Sequence, residues 1–366
     1  MGRIRSYQLS LVIGLPCVAV FAAMSTVNAG PEQHNPSPLG DLALNSVSVA
    51  PASTSAWAVG SSISDGVSGS ILHLTSGRWK PVAYTSETGQ VHLNGVAAAS
   101  AHAVWAVGDV QGATSTSALL LHSTGGAFGP ASLPGTAAGT TLVDVAASSA
   151  TNAWAVGNDN ASGLVPVAYH LLRGKWTAAS LPHLPAEYQL ESVTTSGPTN
   201  TWILAPGPAN GQAALLHWNG KKWSRSTLTA MPKTGDAIAI ATAGSGSTWV
   251  VGFTQTSPTK SFSSHWNGKR WSVVAVPGAA TELLDVATAG TTAVAAGNGK
   301  SGPVALRFSK GKWRAERTDS RGHDAQLHGV GVSSKLAVAV GSDLSGGQFM
   351  PLIDIRSGGH WKRSAA

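Results

Sequence analysis

The stretch "LVDVAASSATNAWAVGNDN" (142–160) holds two short apolar runs around a Ser/Ala/Thr turn, then becomes abruptly polar. Small, β-branched and aromatic residues between turn formers predict two antiparallel strands. The second run is not unique. It returns as "SAWAVGSSI" from Ser55 and "AVWAVGDVQ" from Ala103. Its glycine column runs Gly60, Gly108, Gly157, then Ala205, Gly252, Gly297 and Gly341, at steps of 48, 49, 48, 47, 45 and 44 residues.

Two further columns keep the same phase. Upstream stands a Leu-x-x-Val unit: "LNSV" at Leu44, "LNGV" at Leu93, "LVDV" at Leu142, "LESV" at Leu190, "AIAI" at Ala237, "LLDV" at Leu283 and "LHGV" at Leu327. Downstream, a Gly-rich turn leads to an aromatic residue at Trp79, Phe128, Trp176, Trp223, Trp271, Trp313 and Trp361. Each repeat therefore reads as four strands. Strand a is Leu-x-x-Val, strand b is Trp-Ala-Val-Gly, strand c is apolar, and strand d starts at the aromatic. Seven such repeats predict an all-β, seven-bladed β-propeller with four antiparallel strands per blade. A linear β-solenoid is the alternative, although its coils are shorter. The expected blades span about 44–92, 93–141, 142–189, 190–236, 237–282, 283–326 and 327–366, within a propeller of 41–366. Residues 31–43 are expected to help close the ring, because the last strand is short.

The N-terminus reads as a targeting segment. Arg3 and Arg5 precede an apolar run, and Val27 and Ala29 suit a cleavage site, so residues 1–29 are expected to be a signal peptide and 30–40 an N-terminal extension. An uncleaved membrane anchor is the alternative, but the run is short for a spanning helix. The expected location is secreted, with no transmembrane segment in the mature chain. The single Cys17 lies inside that run, so no disulfide or thiolate metal site is expected beyond it. Loss of Arg3 and Arg5 lowers the formal charge from +7 to +5. Without clustering on a reading element, that excess is no nucleic-acid footprint.

The frame Leu-x-x-Val, Ala-Trp-Ala-Val-Gly, His-Trp-Asn-Gly-Lys-x-Trp resembles the Trp-rich propeller repeats of secreted actinobacterial proteins. "HWNGKKW" (217–223) and "HWNGKRW" (265–271) carry the resemblance best. It covers roughly residues 40 to 366 and is weakest where Val294 and Val338 replace the strand b Trp. The Asn-Gly turn before Trp is similar, more distantly, to a degenerate Asp-box. The resemblance implies a fold and an extracellular compartment, not an activity.

The residue classes then sort by position. Strand b tryptophans (Trp57, Trp105, Trp154, Trp202, Trp249) are expected between blades. Five histidines, His73, His122, His170, His217 and His265, stand six residues before the strand d aromatic. They lie too far apart around a ring to share a metal, so no metal is expected. Strand a lines the axis, and Asp144 and Asp285 at its third motif position are channel candidates for a cation or water. Polar loops after strand b differ from repeat to repeat, and such loops on a rigid scaffold carry specificity. Asp65, Asp109, Asn158, Asp159, Asn298 and Asp343 are the ligand-binding candidates there. Trp218 and Trp266 are the exposed aromatic candidates. Basic residues crowd the c–d turns, as at Lys221, Lys222, Lys269 and Arg270.

No nucleophile elbow, HExxH or P-loop is present, and no catalytic residue is assigned. Two functions stay open. One is a non-catalytic secreted scaffold, a monomer without cofactor, that binds an extracellular glycan, cell-wall polymer or protein. The other is a carbohydrate-active enzyme, glycosidase- or lyase-like, using carboxylates from different blades, such as Asp144, Glu191 and Asp285.

Overall fold

The computed structural model describes residues 32–34, 41–62, 68–161, 163–208, 212–319, 324–345 and 348–364. Their strands form an all-β propeller of six to seven blades: five four-stranded sheets and one eight-stranded sheet, beside a two-stranded pair. Repeat 3 shows the pattern. Strand a (Thr140–Ser149), strand b (Asn152–Asp159), strand c (Val165–Leu172) and strand d (Lys175–Ala178) pair in that order, all antiparallel. The eight-stranded sheet contains repeats 6 and 7. Their outer strands join in parallel through Arg317–His360 and Thr318–Trp361.

Strand a of each repeat contacts strand a of the next, and the last contacts the first, so the seven form a ring about the axis. No strand is exchanged between the chain's described ends. Repeats 1 and 7 close by packing, with Val47 and Val49 in one cluster with Val338, Val340 and Ile353. His328 Nδ1 donates to the Leu44 carbonyl at 3.0 Å, and the Phe349 N–H donates to Asp41 at 3.1 Å. Of the segment expected to help closure, Asp41 thus does so. Glu32–His34 instead pairs with Tyr84–Ser86.

The space between neighbouring sheets is filled by aromatic rings. Each strand b Trp stacks on the strand c His opposite it: Trp57 on His73 at 3.7 Å, Trp154 on His170 at 3.9 Å and Trp202 on His217 at 4.1 Å. At Trp57, Trp154, Trp202 and Trp249 the next repeat's strand d aromatic meets that Trp edge-on, as Phe128 meets Trp57 (5.4 Å) and Trp223 meets Trp154 (5.2 Å). Such edge-to-face pairs follow the ring quadrupole and add to the area buried. The histidine's other edge bonds the start of strand b: Ser55, Asn152, Asn200 and Ser247 each lie 2.8 to 3.0 Å from a ring nitrogen. The histidine column is therefore local scaffolding. Where Val294 and Val338 replace Trp, the cross-strand partner changes too, to Arg307 and Ile355. Burial lowers the pKa of all five histidines, so the stacked rings are neutral.

The glycine column has a steric cause. In repeats 1, 2, 3, 5, 6 and 7 the pairing of strands a and b slips by one residue at the second motif position, a β-bulge. The bulge lays the carbonyl of the residue before the motif over the glycine. A Cβ there would lie 1.8 to 2.1 Å from that oxygen, for example 2.1 Å from the Thr141 carbonyl at Gly157. Repeat 4 has Ala205 in the column, and its strand a (Ser192–Gly197) pairs with strand b without a bulge at the second motif position. We expect Gly157→Ala to cost roughly 2–4 kcal/mol, against about 1 kcal/mol or less for Ala205→Gly. Urea unfolding of the two variants checks this, and equal losses would contradict the steric account.

Candidate functional site

The ring of inner strands encloses an axial cavity of about 490 Å³. Its wall comes from the second and third motif positions and from the flanking residues of strands a and b. The bulge swings the second position inward, so Asn45, Asn94 and His328 line the cavity with the third-position residues Ser46, Asp144, Ser192 and Asp285, and Glu191 joins them from repeat 4, which has no bulge there. Glu282, Gln326 and Asn298 line it near the end where strand a begins and strand b finishes. That end carries the b–c and d–a loops.

Two hydrogen-bond relays explain most of this polarity. In the first, second-position side chains donate to the motif-leucine carbonyl of the next repeat: Asn45 to Leu93 (2.9 Å), Asn94 to Leu142 (2.8 Å) and His328 to Leu44 (3.0 Å). In the second, third-position oxygens accept from the fourth-position N–H of the next repeat. Ser46 takes Val96, Asp144 takes Val193, Ser192 takes Ile240 and Asp285 takes Val330. Gly95, Ala239 and Gly329 hold no such acceptor. In the repeats that follow the first two an aspartate stands, and its other oxygen accepts its own neighbour's N–H, Val145 at 2.8 Å and Val286 at 2.7 Å; after Gly329, at the ring closure, stands Ser46. Space sets the same order, since a Cβ on Gly95 would sit 3.2 Å from Asp144 Oδ1. Asp144 and Asp285 therefore join repeats 3 to 4 and 6 to 7. Among the described residues no three His, Cys, Asp or Glu side chains converge to hold a metal ion.

Repeat 4 is the irregular sector. In repeat 4 the Gln189 and Glu191 N–H groups donate to the Pro206 and Leu204 carbonyls at 3.4 and 3.0 Å, and Asn158 of repeat 3 holds Leu190 between them. The Asn158 amide donates to the Leu190 carbonyl at 3.0 Å and accepts the Leu190 N–H at 2.9 Å. A cavity of about 20 Å³, room for one water, opens beside Glu187, Glu191, Pro206 and Asp236. Glu191 reaches both this cavity and the axial one. Burial, then the negative charges of Asp236 and Asp144, push its pKa up to about 8. Burial lifts Asp144 to about 6 against the pull of its hydrogen bonds. Burial lifts Asp285 to about 7, again opposed by its N–H donors and reinforced by Asp144.

The residues singled out from sequence are scattered by the fold. Asn298 lines the cavity, donates to Glu282 at 3.0 Å, and keeps a buried Oδ1 with no hydrogen-bond partner. Asp109 is buried against His92 at 3.1 Å. Asn158 is buried on Leu190, Asp159 holds its own turn through the Ala161 N–H, and Asp343 pairs with Arg363 at 3.0 Å. Asp65 lies outside the described residues. Trp218 and Trp266 are half-buried rather than exposed. They pack on Trp154 and Trp202 at 6.0 and 5.9 Å, because the neighbouring repeat's strand b ring stands beside the c–d turn. The third-position acids and Glu191 are legible in the sequence as channel or carboxylate candidates, whereas Asn45, Asn94 and His328 at the second position are not. The available signal was that position's run of Asn, Asn, Glu and His in an otherwise apolar strand.

No protein-family model matches the chain, and no curated protein matches it in sequence. Solved structures do resemble it. A puromycin-hydrolysing peptidase of Mycobacterium tuberculosis is similar over 90% of this chain and 55% of its own, at 12% identity and TM-score 0.57. The β-propeller domain of the trilobed protease of Pyrococcus furiosus, described as having an open velcro topology, is similar over 89% of this chain and 98% of its own, at 7% identity and TM-score 0.54. The six-bladed fucose-binding lectin of Aleuria aurantia is similar over 74% of this chain and 94% of its own, at 12% identity and TM-score 0.49. The chain has the β-propeller fold. No helix among the described residues is long and apolar enough to cross a membrane.

Two measurements test this geometry. Asp144→Asn keeps one acceptor oxygen for two backbone N–H groups, so one is orphaned, at a cost of roughly 1–3 kcal/mol in chemical unfolding; an unchanged midpoint would contradict the relay. Glu191, with its folded pKa raised from 4.5 to about 8, holds a proton that the unfolded chain releases. Its contribution is intact at low pH and is lost as pH rises through that interval. Glu191→Gln should therefore raise Tm more at pH 8 than at pH 5, relative to the parent chain.

Proposed function

We propose that the chain is a secreted, non-catalytic, seven-bladed propeller, one blade per repeat, that binds a small polar extracellular ligand such as a short glycan at its axis. The observation that carries this reading is the axial cavity, about 490 Å³ in volume, at the end that bears the variable loops. Ligand pockets of a few hundred Å³ with a few convergent polar groups are the usual form of a small-molecule site. Glu282, Asn298, Gln326 and Glu191 come from three different repeats and supply donors and acceptors not spent on the relays. The Asn298 side chain stands on the cavity wall with its amide group held by Glu282. The leader-like residues 1–29 support export.

A second reading, a carbohydrate-active enzyme, rests on Glu191. A carboxyl with its pKa near 8 is protonated at neutral pH, the state a general acid needs. Asp144 and Asp285 do not add to the enzyme reading, because both oxygens of each are spent on backbone N–H groups.

A glycan array followed by calorimetry on the hits tests both. Asn298→Ala and Glu282→Gln should each weaken binding by roughly tenfold or more, the loss expected when a buried polar contact is removed, while the turn variant Asp159→Ser leaves affinity unchanged. Retained affinity in both cavity variants removes the axial site. Turnover of a bound glycan that Glu191→Gln abolishes, with binding kept, establishes the enzyme reading instead.

A further inference from the structure

The two faces of the ring differ in charge. Every repeat runs a, b, c, d in the same sense, so all a–b and c–d turns emerge on one face. None of those turns contains an Asp or Glu. The opposite face mixes the acids Glu87, Asp159, Glu187 and Asp319 with the lysines Lys233, Lys260 and Lys300, and it opens the axial cavity. On the turn face, Arg173, Lys221, Lys222, Lys269, Arg270 and Lys310 are exposed, and none forms an ion pair among the described residues. They occupy four consecutive repeats, 3 to 6.

We propose that this face docks the ring flat on an anionic lipid surface, with the cavity mouth turned away from it. This goes beyond the axial-site reading and does not depend on it. Three observations favour a surface over a polymer strand. The cations follow an arc of the rim rather than a groove, so one strand reaches two or three turns while a plane reaches them all. The absence of acids from the whole face removes the repulsion that a planar anion array would otherwise meet within the screening distance of about 8 Å. The half-buried Trp218 and Trp266 sit directly before the turns that carry Lys221, Lys222, Lys269 and Arg270. An indole beside a cation is the arrangement that suits a lipid–water interface. Each lysine or arginine close to an anionic leaflet adds independently to the attraction.

The turn geometry supplies a gentle test. Arg173 and Lys310 hold left-handed backbone, with φ of 54° and 51°. Asparagine accepts that conformation more readily than either. The full chain carrying Arg173→Asn, Lys310→Asn, Lys221→Gln, Lys222→Gln, Lys269→Gln and Arg270→Gln should therefore fold, which its thermal melt checks. Both chains are sedimented with phosphatidylcholine vesicles, with and without phosphatidylglycerol. The parent should bind the anionic vesicles and lose binding steeply with added salt, and the neutralised chain should bind on the order of 100-fold more weakly or less. A charge-preserving variant (K221R, K222R, K269R, K310R) should bind like the parent. Equal binding by parent and neutralised chains overturns the proposal. So does equal binding to neutral vesicles, which points to the apolar N-terminus. So does binding to a soluble anionic polysaccharide as tight as to vesicles and lost on the same substitutions. Should the neutralised chain not fold, salt-independent vesicle binding by the parent overturns it as well.

Discussion

One backbone irregularity organises the molecule. A single bulge in the inner strand of six repeats lays a carbonyl over strand b and turns the second motif residue toward the axis. The first effect requires glycine opposite the bulge. The second decides what lines the cavity. Scaffold and site are therefore set by the same feature, and the site residues cannot be exchanged freely without regard to the strand that bears them.

Neighbouring repeats are held by more than packed rings. The inner strands lie edge to edge round the axis without forming a continuous ladder, so their facing backbone groups need side-chain partners, since an unpaired buried N–H is costly. Serine at the third motif position serves one N–H. Aspartate serves two, and it stands after Gly95 and after Ala239, though not after Gly329, where Ser46 follows. The cost is a carboxylate in a partly desolvated wall, visible in the raised pKa values of Asp144 and Asp285. Repeat 4 departs from this order. Ala205 replaces the glycine, the bulge is absent, Asn158 holds Leu190, and a small cavity beside Glu191 appears. Local rule-breaking of this kind is where function tends to concentrate.

Charge is divided between the two faces with the same economy. The turns on one side carry Lys and Arg and no acids, whereas the loops on the other mix Asp and Glu with Lys233, Lys260 and Lys300. The aromatic layers between the sheets are neutral, because burial holds the stacked histidines unprotonated. Acidification below their ordinary value of 6.5 therefore acts on the scaffold, whereas rising pH acts on the channel carboxyls.

The seven phased copies of Leu-x-x-Val, Trp-Ala-Val-Gly and the strand d aromatic determined the strand order, the inter-sheet role of Trp57 or Trp154, and the scaffold role of the histidines. These follow from local pattern, because a repeated sequence must repeat its packing. Asn158 shows the limit. Read alone it is a variable polar loop residue, yet it ends on Leu190, 32 positions away in the next repeat. Asp144 likewise reads as a free channel acid until Val193 is brought beside it. Which polar groups are spent on the ring and which face the cavity was decided only by tertiary structure. That choice depends on backbone N–H and C=O groups of neighbouring repeats, and no side-chain pattern within one repeat encodes where those groups will point.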